Sequence, residues 1–594
     1  MKNIDTYIGE VISVSGNTIT VQLAETVKSN MPIIDGIVYR IGQIGSFLKI
    51  PLGYATLYGI VSQIGAAAIP ENLRADASEG TLDEKNRQFL SLVLVGEQLG
   101  NKFSRGVSQS PTTGDSVHIV TIQDLDIVYG VKDSESTIDI GNIAASESLS
   151  AKLDVNKFVS RHSAILGSTG SGKSNAVGVI LSAIANKGYK SSRVLVIDPH
   201  GEYNSVLGDK ATVYKIRSNT EKNEVELYVP YWALPFSEFI EVFSGNLSDQ
   251  NKDYFREKIC SAKRDSACQN EIPIPAELIS ADTPIPYNIR NLWFELDDFE
   301  RRTFKENRKP ETVLPVTISG SAETLTSNEY PPPSPGGGAP FLNHQAKGIL
   351  GFLDSVRTKL RDSTFSFLFS PGDYAPDAAG KVKNDLGNLL FDWIGSDTPV
   401  TILDLSGIPS EIMPSIAGTL IKIIYDALFW GQGLKIGGKE QPLLIVLEEA
   451  HNYLKKDEIT IASRAVQTIS KEGRKYGVGI SLISQRPSEL DSTVLSQCGT
   501  IIALRMNNSQ DRSHVKSAIQ DELQMISDLL PSLRTGECIV SGEAVKLPSR
   551  VQFFKLKNAP KGSDPKVSEK WMEEKIPSID MYNQLVSVWR NQSL

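Results

Sequence analysis

Residues Gly167-Ser168-Thr169-Gly170-Ser171-Gly172-Lys173-Ser174 satisfy the spacing G-x-x-x-x-G-K-[ST] at every fixed position, and few patterns restrict a fold as tightly. Such a loop wraps phosphate oxygens with its backbone N–H groups, an approach that side chains at the glycine positions would obstruct. Lys173 supplies a compact positive charge and Ser174 a hydroxyl for Mg²⁺. The pattern requires a strand before the loop and a helix after it. Ser163 to Leu166 reads as a short buried strand, and Asn175 to Asn186 as a helix with Val177, Ile180, Leu181 and Ile184 at helical spacing. Gly188 is a plausible stop, and Arg193 to Ile197 reads as the next buried strand. The loop therefore implies an α/β core that binds a nucleoside triphosphate, with Asn175 counted beside the loop among the nucleotide-binding residues.

A second constellation supplies chemistry for that nucleotide. Leu443 to Leu447 is an apolar run ending in Glu448-Glu449-Ala450-His451, the form of a Walker B strand. A carboxylate at the tip of a buried strand can hold Mg²⁺ through water, and a second can polarise the attacking water. Glu448 fits the first role and Glu449 the second; an exposed acidic helix start is the alternative use of such a pair. Ile480 to Ile483 leads into Ser484-Gln485, where a strand-end amide can sense the γ-phosphate. Arg474, just before that strand, is a candidate arginine finger, and a solvated loop arginine has the same signature.

The chain is 594 residues long, which predicts three or four structural units. No apolar run reaches transmembrane length, and MKNIDTYIGE lacks the pattern of a signal peptide, so a cytoplasmic location is expected. Four scattered cysteines form no C-x-x-C pair and indicate neither zinc nor a disulfide framework. A net charge of −9 argues against a surface that coats nucleic acid generally, but permits a locally basic channel.

Residues 1–143 read as a small β-barrel through Ile8 to Val14, Thr18 to Leu23, GIVYRIG, ATLYGIVSQIG and FLSLVLVG. Ala144 to Asp154 reads as a connector, and residues 144–215 carry the first part of the nucleotide-binding core, which starts near Val155. Residues 216–387 read as a largely helical insertion holding a proline and glycine hinge, YPPPSPGGGAP, at Tyr330 to Pro340. The core resumes over 388–550 with Val400 to Leu403, Leu443 to Leu447 and Ile480 to Ile483, and is expected to end its sheet with Thr500 to Leu504. The extension 551–594 is more charged, is interrupted by Pro560, Pro565 and Pro577, and suggests an amphipathic helix from Met581 to Arg590. That helix is expected to pack on its own core through Leu585, Val588 and Trp589, or else on a neighbouring subunit.

The pieces RHSAILGSTGSGKSNAV (Arg161 to Val177), VIDPHGEY (Val196 to Tyr203), LLIVLEEAHNY (Leu443 to Tyr453) and KEGRKYGVGISLISQRPSELD (Lys471 to Asp491) resemble the HerA-type ATPases of the FtsK and HerA translocase superfamily. With the N-terminal barrel, the resemblance covers most of residues 1 to 550. It implies a RecA-like motor, a homo-hexameric ring that threads double-stranded DNA at the expense of ATP and Mg²⁺. It also implies that Arg161 and Arg474 act at the subunit boundary, at least one of them reaching a neighbour's ATP. Asp198 and Glu202 are expected to border the site; His200 and His451 are expected to serve as hydrogen-bonding residues rather than metal ligands. Proteins of this type accompany end-processing nucleases, or sirtuin-like or nuclease effectors in anti-phage systems; the insertion and the tail lie outside the shared motifs. Two other functions fit the same core: a nucleotide-controlled scaffold that activates an effector without obligatory translocation, and a VirB4-like secretion ATPase, which the lack of a membrane-associating segment disfavours.

Overall fold

The computed structural model describes residues 6–24, 33–34, 37–38, 44–65, 88–129, 135–144, 146–243, 247–335, 338–456, 458–519, 526–558, 560, 567–572 and 578–591. Of the expected strand at 36–42 only Ile37–Val38 falls among these; Gly336, Gly337, Pro565 and Pro577 fall outside them.

The main N-terminal strands form one antiparallel sheet. They are β1 (Tyr7–Ser15), β2 (Thr18–Leu23), β3 (Phe47–Leu52), β4 (Ala55–Ile64), β5 (Phe89–Leu99), β6 (Lys102–Arg105) and β7 (Ser116–Ile119). Their order is β2-β1-β7-β3-β4-β5-β6, and pairing of β2 with β5 closes six of them into a barrel. Inward residues such as Ile19, Val21, Leu57, Leu92 and Val117 fill its interior. Arg105 on β6 docks the barrel on the rest of the chain, donating to the carbonyls of Gly542 (2.6 Å), Val545 (2.6 Å) and Lys546 (3.0 Å).

The nucleotide-binding core is a twelve-stranded sheet. Its strands are β8 (Thr137–Ile143), β9 (Ser146–Asp154), β10 (Ser163–Leu166), β11 (Arg193–Asp198), β12 (Ala211–Lys215), β13 (Glu224–Glu226), β14 (Val400–Asp404), β15 (Leu443–Leu447), β16 (Val478–Ser484), β17 (Thr500–Leu504), β18 (Glu537–Gly542) and β19 (Ser549–Phe553). They lie in the order β9-β8-β19-β18-β17-β10-β16-β15-β11-β14-β12-β13. From β17 to β13 all neighbours are parallel. β10, β15 and β17 are buried along their whole length, as expected of parallel strands covered on both faces. The parallel register aligns Leu166 with Ser484 and Ala503, and Asp198 with Asp404, so the carboxyl tips of these strands share one edge.

The sheet does not end at Thr500 to Leu504. It continues through antiparallel β18 and β19 into the hairpin of β8 and β9. The segment read as a connector is thus largely strand β9, and the expected division between 143 and 144 falls in a hairpin turn of this sheet. Alternation of Ile138 and Ile140 looks the same in sequence whichever sheet the strand joins. The expected insertion also begins later, because Glu224–Glu226 is still an edge strand whose three residues carry no legible pattern. Between it and β14, α-helices include Phe236–Glu241, Asp249–Gln269, Ile289–Arg301 and Leu350–Arg361. The expected hinge is anchored where it starts: Tyr330 Oη donates to Asp298 (2.6 Å), and Thr303 Oγ1 donates to the Pro331 carbonyl (3.0 Å). The terminal helix, Ile579–Asn591, does not pack on its own core; Leu585, Val588 and Trp589 are all more than half exposed.

Candidate active site

Residues 167–174 leave the tip of β10 and enter α1 (Lys173–Asn186), which begins two residues earlier than the pattern suggests. Gly172 caps this helix with φ +99° and no side-chain hydrogen bond, leaving the first N–H groups free for an anion. A Cβ at Gly172 would also lie 2.8 Å from the Gly536 nitrogen, so the loop rests against residues 535–536. Gly536 N donates to the Ser171 carbonyl (2.8 Å), and Ser168 N donates to the Arg505 carbonyl (3.0 Å). Thr169 Oγ1 donates to Gln485 Oε1 (2.7 Å), which ties the tip of β16 to the loop. Lys173 is buried in the first turn of α1, and Ser174 is half-buried beside it.

The carboxylates gather at the tips of β11 and β15. Glu448 is 1% exposed and accepts from Tyr203 Oη (3.1 Å). Burial pushes its carboxyl well above the ordinary range, the charges of Asp198, Glu202 and Glu449 push the same way, and Lys173 opposes them. Glu449 is also buried, and burial raises its carboxyl while Lys173 and His200 pull it down. Its φ of +48° is a left-handed conformation for a non-glycine residue, the kind of strain that collects at functional sites. Glu449 Oε2 lies 3.2 Å from His451 Nδ1 but is not aligned for a hydrogen bond and has no partner. Ser171 Oγ and Glu202 Oε2 are buried without partners too.

Asp198 organises the following turn. Its carboxylate accepts from the backbone of His200 (3.1 Å), Gly201 (2.9 Å) and Tyr203 (3.2 Å), while burial lifts its carboxyl to about 6. His200 is exposed, and His451 Nδ1 lies 3.2 Å from Ser484 Oγ, with burial lowering its imidazole. Among the described residues, no group of three or more His, Cys, Asp or Glu is arranged to hold a metal by itself. Mg²⁺ takes one or two protein ligands and completes its shell with phosphate oxygens and water.

The two arginines lie elsewhere. Arg474 is exposed in the turn Gly473–Tyr476, before β16, at the end of the sheet away from the loop. The seven residues of β16 span about 20 Å at about 3.3 Å each, so Arg474 cannot reach phosphates held by its own chain. Arg161 precedes β10 at the same far end, its Nε 3.5 Å from Glu543. His162 sits between them: its Nδ1 accepts from Ile480 N (3.2 Å), and its ring borders Gly473.

Several residues have roles that no motif spells out, Tyr203 at the end of VIDPHGEY among them. Tyr203 reaches Glu448 only through the turn that Asp198 builds. Asp404, at the tip of β14, is fully buried, 3.2 Å from Lys215 Nζ and accepting from Asn204 (2.6 Å). Arg505 follows β17, and its Nη2 donates to the Gly170 carbonyl (3.4 Å); a cation directly after a buried strand next to the loop was the available signal. Asn175 is occupied differently from the expectation: its side chain holds the backbone of Phe554 and Leu556.

A strand, phosphate loop and helix joined to buried carboxylates on neighbouring strand tips is the machinery of nucleotide hydrolysis. The family model described as "Helicase HerA, central domain" matches residues 138–424, and that described as "Helicase HerA-like C-terminal" matches 411–578. The chain belongs to the HerA family. As a HerA-family member it is an enzyme of the ATPase and helicase type. It is 26% identical over 486 residues to the DNA double-strand break repair helicase HerA of Sulfurisphaera tokodaii, with 78% of each chain covered. It is 27% identical over 465 residues to the protein of the same name from Pyrococcus furiosus, covering 75% of this chain and 73% of that one. Among solved structures, VirB4 of Thermoanaerobacter pseudethanolicus is similar with a TM-score of 0.45 and 15% identity, over 72% of this HerA-family chain and 98% of that one. The plasmid coupling protein TrwB in complex with ADP and Mg²⁺ has a TM-score of 0.41 and 11% identity, over 74% and 94%. Among the described residues no helix is long and apolar enough to cross a membrane.

Proposed function

We propose that this chain is a RecA-like motor that hydrolyses ATP to move along or unwind double-stranded DNA, as a hexameric ring whose ATP sites are shared between neighbouring subunits. The observation that carries this reading is the separation of Lys173, Glu448 and Glu449 from Arg161 and Arg474, at opposite ends of the same parallel strands. A phosphoryl transfer site needs a cation on the transferring group. A neighbour presenting its arginine edge to this chain's loop edge would supply it.

In that site Glu449 orients and deprotonates the attacking water, Lys173 holds the β- and γ-phosphates, and Gln485 reports the γ-phosphate to the loop through Thr169. The uncapped helix and the unpartnered Ser171 Oγ, Glu202 Oε2 and Glu449 Oε2 fit a polyanion with its cation. Ser174 and Glu448 would hold Mg²⁺, which when bound neutralises phosphate charge. The relatives' names support DNA as the track. The reading includes a nuclease or sirtuin-like effector, a role in DNA end processing or anti-phage defence, and a cytoplasmic location.

Mixing Arg474→Ala subunits with Lys173→Ala subunits tests the shared site. Partial recovery of ATP hydrolysis, stimulated by duplex DNA, is expected; absence of recovery from two folded, co-assembled variants removes Arg474 as a finger acting in trans. A scaffold reading is favoured by one feature, the open apolar face of Ile579–Asn591, on which an effector could dock. A Glu449→Gln ring that still activates its effector would support it over translocation.

A further inference from the structure

The acidic residues and Gln485 stand on one side of β10, at the tips of β16, β15 and β11. A nucleotide whose γ-phosphate faces them turns its nucleoside towards the other side, where β17, β18 and β19 lie. The antiparallel register there pairs Leu504 with Cys538 and Glu537 with Gln552. Arg505, Thr535–Gly536 and Gln552–Phe554 therefore reach the same edge as the phosphate loop.

The segment after β19 forms a strap over the first turns of α1. Asn175 Nδ2 donates to the Phe554 carbonyl (2.8 Å), and Leu556 N donates to Asn175 Oδ1 (3.1 Å). One turn further along the same helix face, Leu556 occupies the space above Gly178, where an added Cβ would lie 2.6 Å from Leu556 Cδ1. The strap thus follows the helix face, with Leu556 further along it and Phe554 towards the loop. Phe553 is 3% exposed in the core, whereas Phe554 is 40% exposed. Its backbone is fixed on both sides, since Phe554 N also donates to the Ile140 carbonyl (3.2 Å). Leu556 covers the helix, and Phe554 keeps 40% of its surface open to solvent. On the same side, Arg505 has a buried Nε with no partner although its Nη2 reaches Gly170.

An aromatic ring on a backbone held at both its N–H and its carbonyl, part-open to solvent on the side of the phosphate loop, offers a π-face at the place where a base must go. We infer that Phe554 is the stacking platform for the base of the bound nucleotide, and that Asn175 is a positioning residue that holds it there. The inference rests on the nucleotide site proposed above.

The test compares ATP with inorganic tripolyphosphate, which has the phosphates but no base, by calorimetry on the full chain with Mg²⁺. Phe554→Ala should bind ATP about 5- to 150-fold more weakly than the parent, the range of one base stack, and bind tripolyphosphate as the parent does. Phe554→Trp should restore ATP affinity, and its fluorescence should change with ATP but not with tripolyphosphate. Unchanged ATP affinity in Phe554→Ala overturns the platform, as does an equal loss for both ligands. If Lys173→Ala keeps full affinity for both ligands, the nucleotide-site reading itself fails; if it loses both while Phe554→Ala matches the parent, the platform alone fails.

Discussion

At the carboxyl ends of the parallel strands, Asp198, Glu448 and Glu449 are withdrawn from water around Lys173. At the amino ends, Arg474 stands in solvent and Arg161 makes a part-exposed contact with Glu543. The first end concentrates charge where the low dielectric makes each interaction strong, and the burial of its carboxyls raises their proton affinity. The second leaves Arg474 hydrated and Arg161 part-exposed. If a neighbour supplies a further cation, as proposed, binding and turnover can be separated by mutation.

The strongest test of that division is Arg474→Ala, for which hydrolysis should fall about 10³-fold or more with ATP affinity unchanged by calorimetry. A comparable loss of affinity would break the comparison. Glu449→Gln should lower turnover by about 10²- to 10⁴-fold while ATP is retained. Because burial raises the Glu449 carboxyl, the acid limb of turnover in the parent should lie above the ordinary glutamate range. A parent rate that stays flat down to that range would remove Glu449 as the base. Tyr203→Phe removes one hydrogen bond to Glu448 and should cost about tenfold in turnover, with a higher Mg²⁺ requirement; an unaltered Mg²⁺ titration would reduce Tyr203 to a packing residue.

The smallest effect concerns stability. The Asp198 carboxyl is lifted from 3.8 to about 6 in the fold, so the folded state binds its proton more tightly than the unfolded chain. The stability linked to that proton is fully present below about 4 and is lost as pH rises through about 6. Asp198→Asn should therefore flatten the pH dependence of thermal melting between about 4 and 6. Parallel melting curves for the parent and the variant would show that Asp198 does not carry it.

The parallel half of the sheet was legible because strands buried on both faces read as unbroken apolar runs, as in Leu443–Leu447 and Ser163–Leu166. The antiparallel half was not, since Glu537–Gly542 and Ser549–Phe553 are short and the second of them pairs with β8, some 400 residues away in sequence. The phosphate loop and the Glu448-Glu449 pair announced themselves through residue types that few other tasks require. Tyr203 and Asp404 did not, because a turn and a strand tip bring them to the site only in three dimensions. Asn175 has a second use for a related reason: adjacency to the loop in sequence says nothing of the strap its side-chain amide holds.

The hairpin of β8 and β9 lies between the barrel and the phosphate loop in sequence, yet it completes the sheet begun by the chain's last strands. A motor fragment cut at residue 144 would lose β8 and leave β19 with a raw edge, its unpaired amides open to another chain. Removing the barrel therefore means cutting well before Ser136, since Leu125, Val128 and Tyr129 pack in the same core as this sheet and Tyr129 Oη meets Ser549 Oγ (2.6 Å).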